Sequence, residues 1–356
     1  MATTFTVPDG RVAMAATLYT GNGSTNTISN AINAVGMQPD LLWTKARSTT
    51  AYHYLQDSVR GVNKALYSND TLAEGAITTT TTTLNTTGFA FNGAESGLNA
   101  NAATFVAWQW KAGGTAVSNT AGTITSSVSA NTTAGFSVVT FTTPNLAAGA
   151  TVGHGLGVVP SFIIVKGRNL VSGWQGYHVS LGGTKRVLLN TTDAATTDSG
   201  PWNNTAPTST VITLGGSFLP DTTSSYTYVA YCWAPVAGYS AFGSYTGNGI
   251  ADGPFIYTGF RPRWIMVKAT TAATAYSWVV LDSSRNTYNL ADFKLLPNSS
   301  VVENDAGAIG GAGVNAFDLV SNGFKSRTSN LSTNESGTTY IYAAFAENPL
   351  KYANAR

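Results

Sequence analysis

Three histidines, 17 carboxylates and one cysteine are the groups in this 356-residue chain that could carry acid–base, nucleophilic or metal chemistry. His53 and His178 fall in short aromatic segments, Tyr52-His-Tyr-Leu55 and Trp174-Gln-Gly-Tyr-His178, and read as equivalent packed residues of a repeated strand. His154 sits in Val152-Gly-His-Gly-Leu-Gly157, a glycine-rich turn without the Gly-Lys-Ser/Thr and helix that a phosphate cradle needs. Asp57 and Asp282 each precede an arginine by three residues, Arg60 and Arg285, which predicts turn-capping ion pairs and not the free carboxylate pair of a glycosidase. Asp193, Asp198, Glu303 and Asp305 lie in Thr/Ser/Asn-rich stretches, but their spacing is not that of a calcium loop. Cys232, inside a hydrophobic segment, reads as a small buried apolar residue. No catalytic, cofactor or metal residue is assigned. What remains is aromatic: Trp174, Tyr177, Trp202, Tyr276, Trp278 and Tyr288 are the candidates for contact with a glycan or a protein partner, because a pyranose face stacks on a ring while neighbouring short polar groups read its hydroxyls.

These residues hang on a repeat. Ala103-Thr-Phe-Val-Ala-Trp-Gln-Trp-Lys-Ala112 returns as Tyr226-Thr-Tyr-Val-Ala-Tyr-Cys-Trp-Ala-Pro235 and as Thr338-Thr-Tyr-Ile-Tyr-Ala-Ala-Phe-Ala-Glu347. Each copy is rich in Thr, Val, Ile and aromatic residues and predicts a closing strand. Phe105/Tyr228/Tyr340 and Trp110/Trp233/Phe345 persist as the pattern of an inner, core-facing side. The position that drifts, Trp108/Tyr231/Ala343, is expected to face a neighbouring unit or subunit. Upstream, Gln38–Lys45, Val159–Lys166 and Arg261–Lys268 each run from a proline through an apolar stretch to a lysine, predicting a strand buried on both faces whose lysine ends it in solvent. Thr-Gly-Asn-Gly at 20–23 and 246–249 marks a matching strand-to-turn exit.

The expected architecture is all-β, with three tandem β-sandwich domains of jelly-roll-like kind. The boundaries are an N-terminal arm (1–12), repeat 1 (13–111), a Thr/Ser/Gly-rich linker or strap (112–135), repeat 2 (136–235), repeat 3 (239–348) and a tail (349–356). The short joint at 235–238 predicts tight packing of repeats 2 and 3, with repeat 1 freer. Charged residues are only 10% of the chain and the net charge is +2, which gives no electrostatic footprint for nucleic acid. No signal peptide and no apolar run long enough for a membrane helix is evident.

The chain resembles a family of uncharacterised structural proteins of tailed bacteriophages, built of tandem β-domains. The carrying segments are Val7–Gly21, Phe105–Gly114, Ala150–Gly157, Gly238–Gly249 and Ile341–Pro349. The resemblance implies a non-enzymatic virion protein of tail-fibre or spike type, displaying its domains for attachment to the host surface, with a glycan as the implied target. The alternatives are a head-decoration or head-fibre protein on the capsid lattice and, third, a glycan depolymerase. The partners implied are other virion proteins and further copies of the chain as a homo-oligomer, and the location implied is the virion.

Overall fold

A computed structural model describes residues 7, 9–143, 148–218, 225–272, 274–304 and 316–347. The chain is all-β, and four strands recur in each unit. The opening strands are Met14–Thr20, Phe136–Thr143 and Ser240–Thr246. The closing strands are Thr104–Trp110, Tyr226–Trp233 and Thr339–Ala346. The central strands are Leu41–Ala46, Phe162–Gly167 and Pro262–Ala269. The fourth strands are Tyr54–Asp57, Gln175–His178 and Val279–Asp282. In every unit they pair antiparallel in the order opening, closing, central, fourth. The closing strand is therefore hydrogen-bonded on both edges, as its lack of proline and its β-branched and aromatic content allow.

A smaller sheet covers one face of each main sheet. It is built of Thr25–Ser29, Gly88–Gly93 and Thr80–Asn85 in unit one, Thr151–Gly153 and Val211–Thr213 in unit two, and Phe255–Tyr257, Gly323–Ser326 and Phe317–Val320 in unit three. Between the two sheets of unit one, Ile28, Phe89 and Phe91 meet Leu42, Tyr54 and Ala107. In unit two, Val152 and Ile212 meet Val139, Ile163 and Cys232. The predicted sandwiches are thus present.

The Thr-Gly-Asn-Gly exit is held alike in units one and three. A Cβ on Gly21 would fall 2.1 Å from the Ala100 carbonyl oxygen, and one on Gly247 2.3 Å from that of Glu335, while Gly23 and Gly249 adopt φ of +67° and +72°. Buried Asn99 and Asn334 clamp the turns: Oδ1 of each accepts from the backbone N–H of Asn22 or Asn248, at 3.1 and 2.9 Å. Nothing in the local sequence singles these two asparagines out.

The sequence reading places Phe105/Tyr228/Tyr340 and Trp110/Trp233/Phe345 on one inner side of the closing strand, and here the structure departs from it. Side chains alternate along a strand, so Phe105 and Trp110, five residues apart, lie on opposite faces. Phe105 faces the sandwich of its own unit, whereas Val106, Trp108 and Trp110 belong to a hydrophobic core shared by all three units. Trp110 is its hub, with ring centroids 5.8 Å from Trp233, 5.5 Å from Trp264 and 5.5 Å from Phe345. Val7 of the N-terminal arm is buried in the same core, and the rest of residues 1–8 lies outside the described residues, as does the tail at 349–356.

The linker reading of 112–135 also gives way to its alternative, a strap. Ser126–Asn131 pairs with the opening strand of unit two, and Val117–Asn119 pairs outside it, so the main sheet of that unit gains two edge strands. Ile124 and Val128 are buried in the unit-two sandwich while Val117 remains exposed, so two of the stretch's three large apolar side chains hold it down.

Candidate functional site: the seams between units

The polar residues that drew notice as possible chemistry converge on three seams, where each unit presents its closing and central strands to the fourth strand and following loop of another. At the drifting position, Trp108 Nε1 of unit one donates to Asp282 Oδ2 of unit three (2.9 Å), and the Tyr231 hydroxyl of unit two donates to Asp57 Oδ2 of unit one (2.7 Å). In the third seam Ala343 carries no polar group. There His178 Nε2 of unit two reaches the neighbouring Tyr342 carbonyl at 3.0 Å. His178 Nδ1 accepts from the Ser180 amide, which places the proton on Nε2, and burial pushes its pKa down to about 4. The neighbour-facing expectation for Trp108/Tyr231/Ala343 therefore holds, with units as the neighbours.

Strand register corrects the histidine equivalence. Asp57 opposes Leu41, His178 opposes Phe162 and Asp282 opposes Trp264, so His178 matches the two aspartates. His53 instead matches Trp174 and Trp278. The amides of all three donate to the Oδ1 of an asparagine, Asn69, Asn190 or Asn298, at 2.8–2.9 Å. The indoles of Trp174 and Trp278 cross to the carbonyls of Tyr67 and Leu188 in the next unit. His53 accepts from Trp43 Nε1 and is kept neutral first by burial and then by nearby Lys45.

The three lysines expected in solvent are fully buried. Each ammonium spans a seam. Lys45 Nζ donates to Ser300 O (3.2 Å), Lys166 Nζ to Thr71 O (3.1 Å) and Lys268 Nζ to Thr192 O (2.9 Å), in every case the carbonyl two residues beyond the seam asparagine of the receiving unit. Burial lowers their pKa values to about 8, 8 and 7. A base with a depressed folded pKa binds fewer protons folded than unfolded, so its contribution to stability grows as pH rises from the folded value toward the unfolded 10.5. The thermal midpoint is expected to climb from about pH 7 toward pH 10. Beyond that the trend reverses, because buried Tyr19, Tyr231 and Tyr245 resist the ionisation available to them once unfolded. Lys268→Met should flatten the climb; midpoints measured across that range that stay level in the native protein would contradict it.

Two seams add charge. Arg60, buried, bonds Asp57 Oδ2 (2.5 Å) and Glu74 Oε2 (2.8 Å), and Glu74 also pairs with Arg168 of unit two (3.0 Å). Arg285 repeats the arrangement with Asp282 (2.6 Å) and Glu303 (3.0 Å), and Glu303 pairs with Arg47 of unit one (2.7 Å). Each quartet holds two arginines and two carboxylates and is neutral. The expected capping is present as well, since Asp57 Oδ1 accepts from the Arg60 amide and Asp282 Oδ1 from that of Arg285. In the third seam the corresponding contact is between backbones alone, Ala195 N–H to Thr270 O.

Among the other residues weighed for chemistry, His154 is a satisfied turn residue, its Nδ1 accepting from Leu156 and its Nε2 meeting Thr208 O. Asp198 caps the short helix Ser199–Trp202 and pairs with Arg186. Asp305 lies outside the described residues. Cys232 is buried, with its thiol pushed up to about 12. Among the described residues no three His, Cys, Asp or Glu gather as metal ligands would, and no helix is long and apolar enough to cross a membrane.

Of the aromatic contact candidates, Trp174, Tyr177, Trp202, Tyr276 and Trp278 are all buried and offer no face to an external ligand. Trp174 and Trp278 serve the seams, and Tyr177 and Trp202 pack edge to face inside unit two. Tyr288 alone of the six is open, at 83% exposure; Tyr257, outside that set, is comparably open at 67%, and no local sequence signal separates it from the buried rings.

A family model described as a domain of unknown function, DUF7483, matches residues 12–349, so the chain belongs to that family. No curated protein and no solved structure matches it.

Proposed function

We propose that this member of the DUF7483 family is a non-enzymatic structural component of a bacteriophage particle, of tail-fibre or spike type, that presents a rigid three-unit body to the host surface. The observation that carries the reading is the use made of its ionisable groups. Lysines, arginines, aspartates and histidines that would otherwise suggest chemistry are consumed in joining one unit to the next, and a body locked this way suits display and load-bearing. The resemblance to tailed-phage structural proteins supplies the particle. Its partners in this reading are other virion proteins and further copies of the chain, and its target is a cell-surface glycan. The closed arrangement of the units also suits the second reading, a head-decoration protein, because a compact knob with threefold-like internal symmetry can sit on a capsid lattice as well as at a tail tip.

Labelling the protein in intact particles separates the two. Signal confined to the tail end is the expected result; signal spread over the capsid assigns decoration, and absence from purified particles overturns both. Incubation with host polysaccharide is expected to leave chain length unchanged, and measurable shortening would assign the depolymerase activity.

A further inference from the structure

Unit two differs from the others in the sheet extension built by the strap, and that extension carries a cleft of about 360 Å³ lined by Ser118, Thr125, Ser126, Ser127, Thr140, Phe141, Thr142 and Arg168. The register makes it an ordered surface. Ser118 opposes Ser127 and Ser127 opposes Thr140, so three hydroxyls form a row across three adjacent strands, spaced by the ~4.8 Å between strands. Thr125 and Thr142, two residues along their own chains, lie on the same face. Ser126 is engaged, its hydroxyl donating to Gly153 O. The other five hydroxyls make no hydrogen bond among the described residues and line an open cleft.

The cleft wall is the seam to unit one. Arg168 donates from Nε and Nη2 to the two oxygens of Glu74, at 3.0 Å each, which leaves Nη1 without a bond among the described residues. Glu74, which also meets Arg60 and Lys64, occupies Nε and Nη2 of the guanidinium, so the wall offers directional donors and acceptors and its cation is already engaged. An anion would find its cation already paired, and an apolar ligand would strand five hydroxyls from water. A neutral polyhydroxylated ligand can pair with both the hydroxyl row and the wall, and the volume lies at the small end of the ~300–1,000 Å³ of ligand pockets.

We propose that this cleft binds a neutral saccharide of one or two sugar rings. The inference gives the attachment reading its contact site and rests on that reading for its biological purpose only. The test is titration of the full chain with lactose, with diacetylchitobiose and, as the anionic arm, with inorganic phosphate, followed by ligand-observed NMR. Saturable binding of at least one disaccharide is expected, with phosphate inert. Ser127→Ala combined with Thr140→Val should weaken it about tenfold, since each lost hydrogen bond is worth a factor of roughly two to ten. Ser118→Ala combined with Thr142→Val, both at exposed positions, should weaken it in the same sense and guards against a folding artefact. Tyr288→Ala should leave it unchanged. Binding of neither disaccharide, a preference for phosphate, or binding that survives both hydroxyl pairs and falls with Tyr288→Ala would overturn the cleft. Saccharide binding by a protein found on the capsid would keep the cleft and overturn tail attachment.

Discussion

Asp282→Ala is expected to lower stability by about 3–5 kcal/mol, the usual effect of deleting one partner of a buried ion pair. Three consequences fall on one site. Arg285, whose side chain is fully buried, keeps Glu303 as its one counter-charge among the described residues; the Arg285 and Ser284 amides lose their capping oxygen; and Trp108 Nε1 of unit one loses its acceptor across the seam. The Arg285 guanidinium also lies 5.6 Å from the centroid of the Trp108 ring, so its displacement disturbs the same indole. Asp282→Asn deletes the charge and keeps one oxygen, which can serve the cap on Oδ1 but leaves an NH2 group facing Trp108 Nε1 and Arg285 Nε in place of Oδ2; it should fall between alanine and the native residue. Chemical denaturation with Trp fluorescence measures both. A change below about 1 kcal/mol for the alanine variant would mean that the charged seam does not hold units one and three together.

Charge is also distributed among the seams in a way that fits the connectivity. Units two and three are tied by the short joint at 235–238, which keeps their surfaces at high effective concentration, and among the described residues their seam holds no ion pair, being made of His178, Lys268, Trp278 and backbone contacts. Unit one reaches unit two through a long strap and has no direct link to unit three, and its seams are the two with arginine–carboxylate quartets. Buried ionic groups are best attested as devices that fix register and partner choice. Here they lie on the two seams of unit one, the positions where such a device would act in addition to covalent tethering.

The repeat, the all-β class and the doubly buried central strands were legible because Thr, Val, Ile and aromatic residues recur at matched spacing. The shared core was not, because a single sandwich explains only one face of its closing strand. One signal did point to it: Phe105-Val-Ala-Trp-Gln-Trp110 puts large apolar side chains on both faces, which a strand with a wet side does not do. The lysines were misplaced because a lysine after an apolar run is ordinarily at the surface. The carbonyls that satisfy Lys45, Lys166 and Lys268 come from other units, a long-range fact that no local pattern encodes. The same cause hid the rings: Trp174 and Trp278 flank polar segments, yet their indoles are spent on carbonyls of the next unit.

Trp110→Ala tests whether the three units are one cooperative body. The ring is about 1% exposed and touches aromatic residues of both other units, so its deletion opens a cavity where the three sheets meet, at a cost of about 3–5 kcal/mol. With unfolding entropy of about 2.1 cal/mol/K per residue, the midpoint should fall by about 4–7 °C. Calorimetry of the native chain should give a single transition, and that of the variant either one transition at lower temperature or a first transition in which one unit detaches. Trp110→Phe retains most of the packing, and the indole Nε1 it removes has no hydrogen-bond partner to lose, so its cost should stay below about 1.5 kcal/mol. Separate, unshifted transitions in both variants would show that the units unfold independently and that the central aromatic cluster is contact without coupling. A large loss on alanine with a small one on phenylalanine would assign the coupling to ring volume at the junction, because the two variants differ there in the space they fill and in no polar contact.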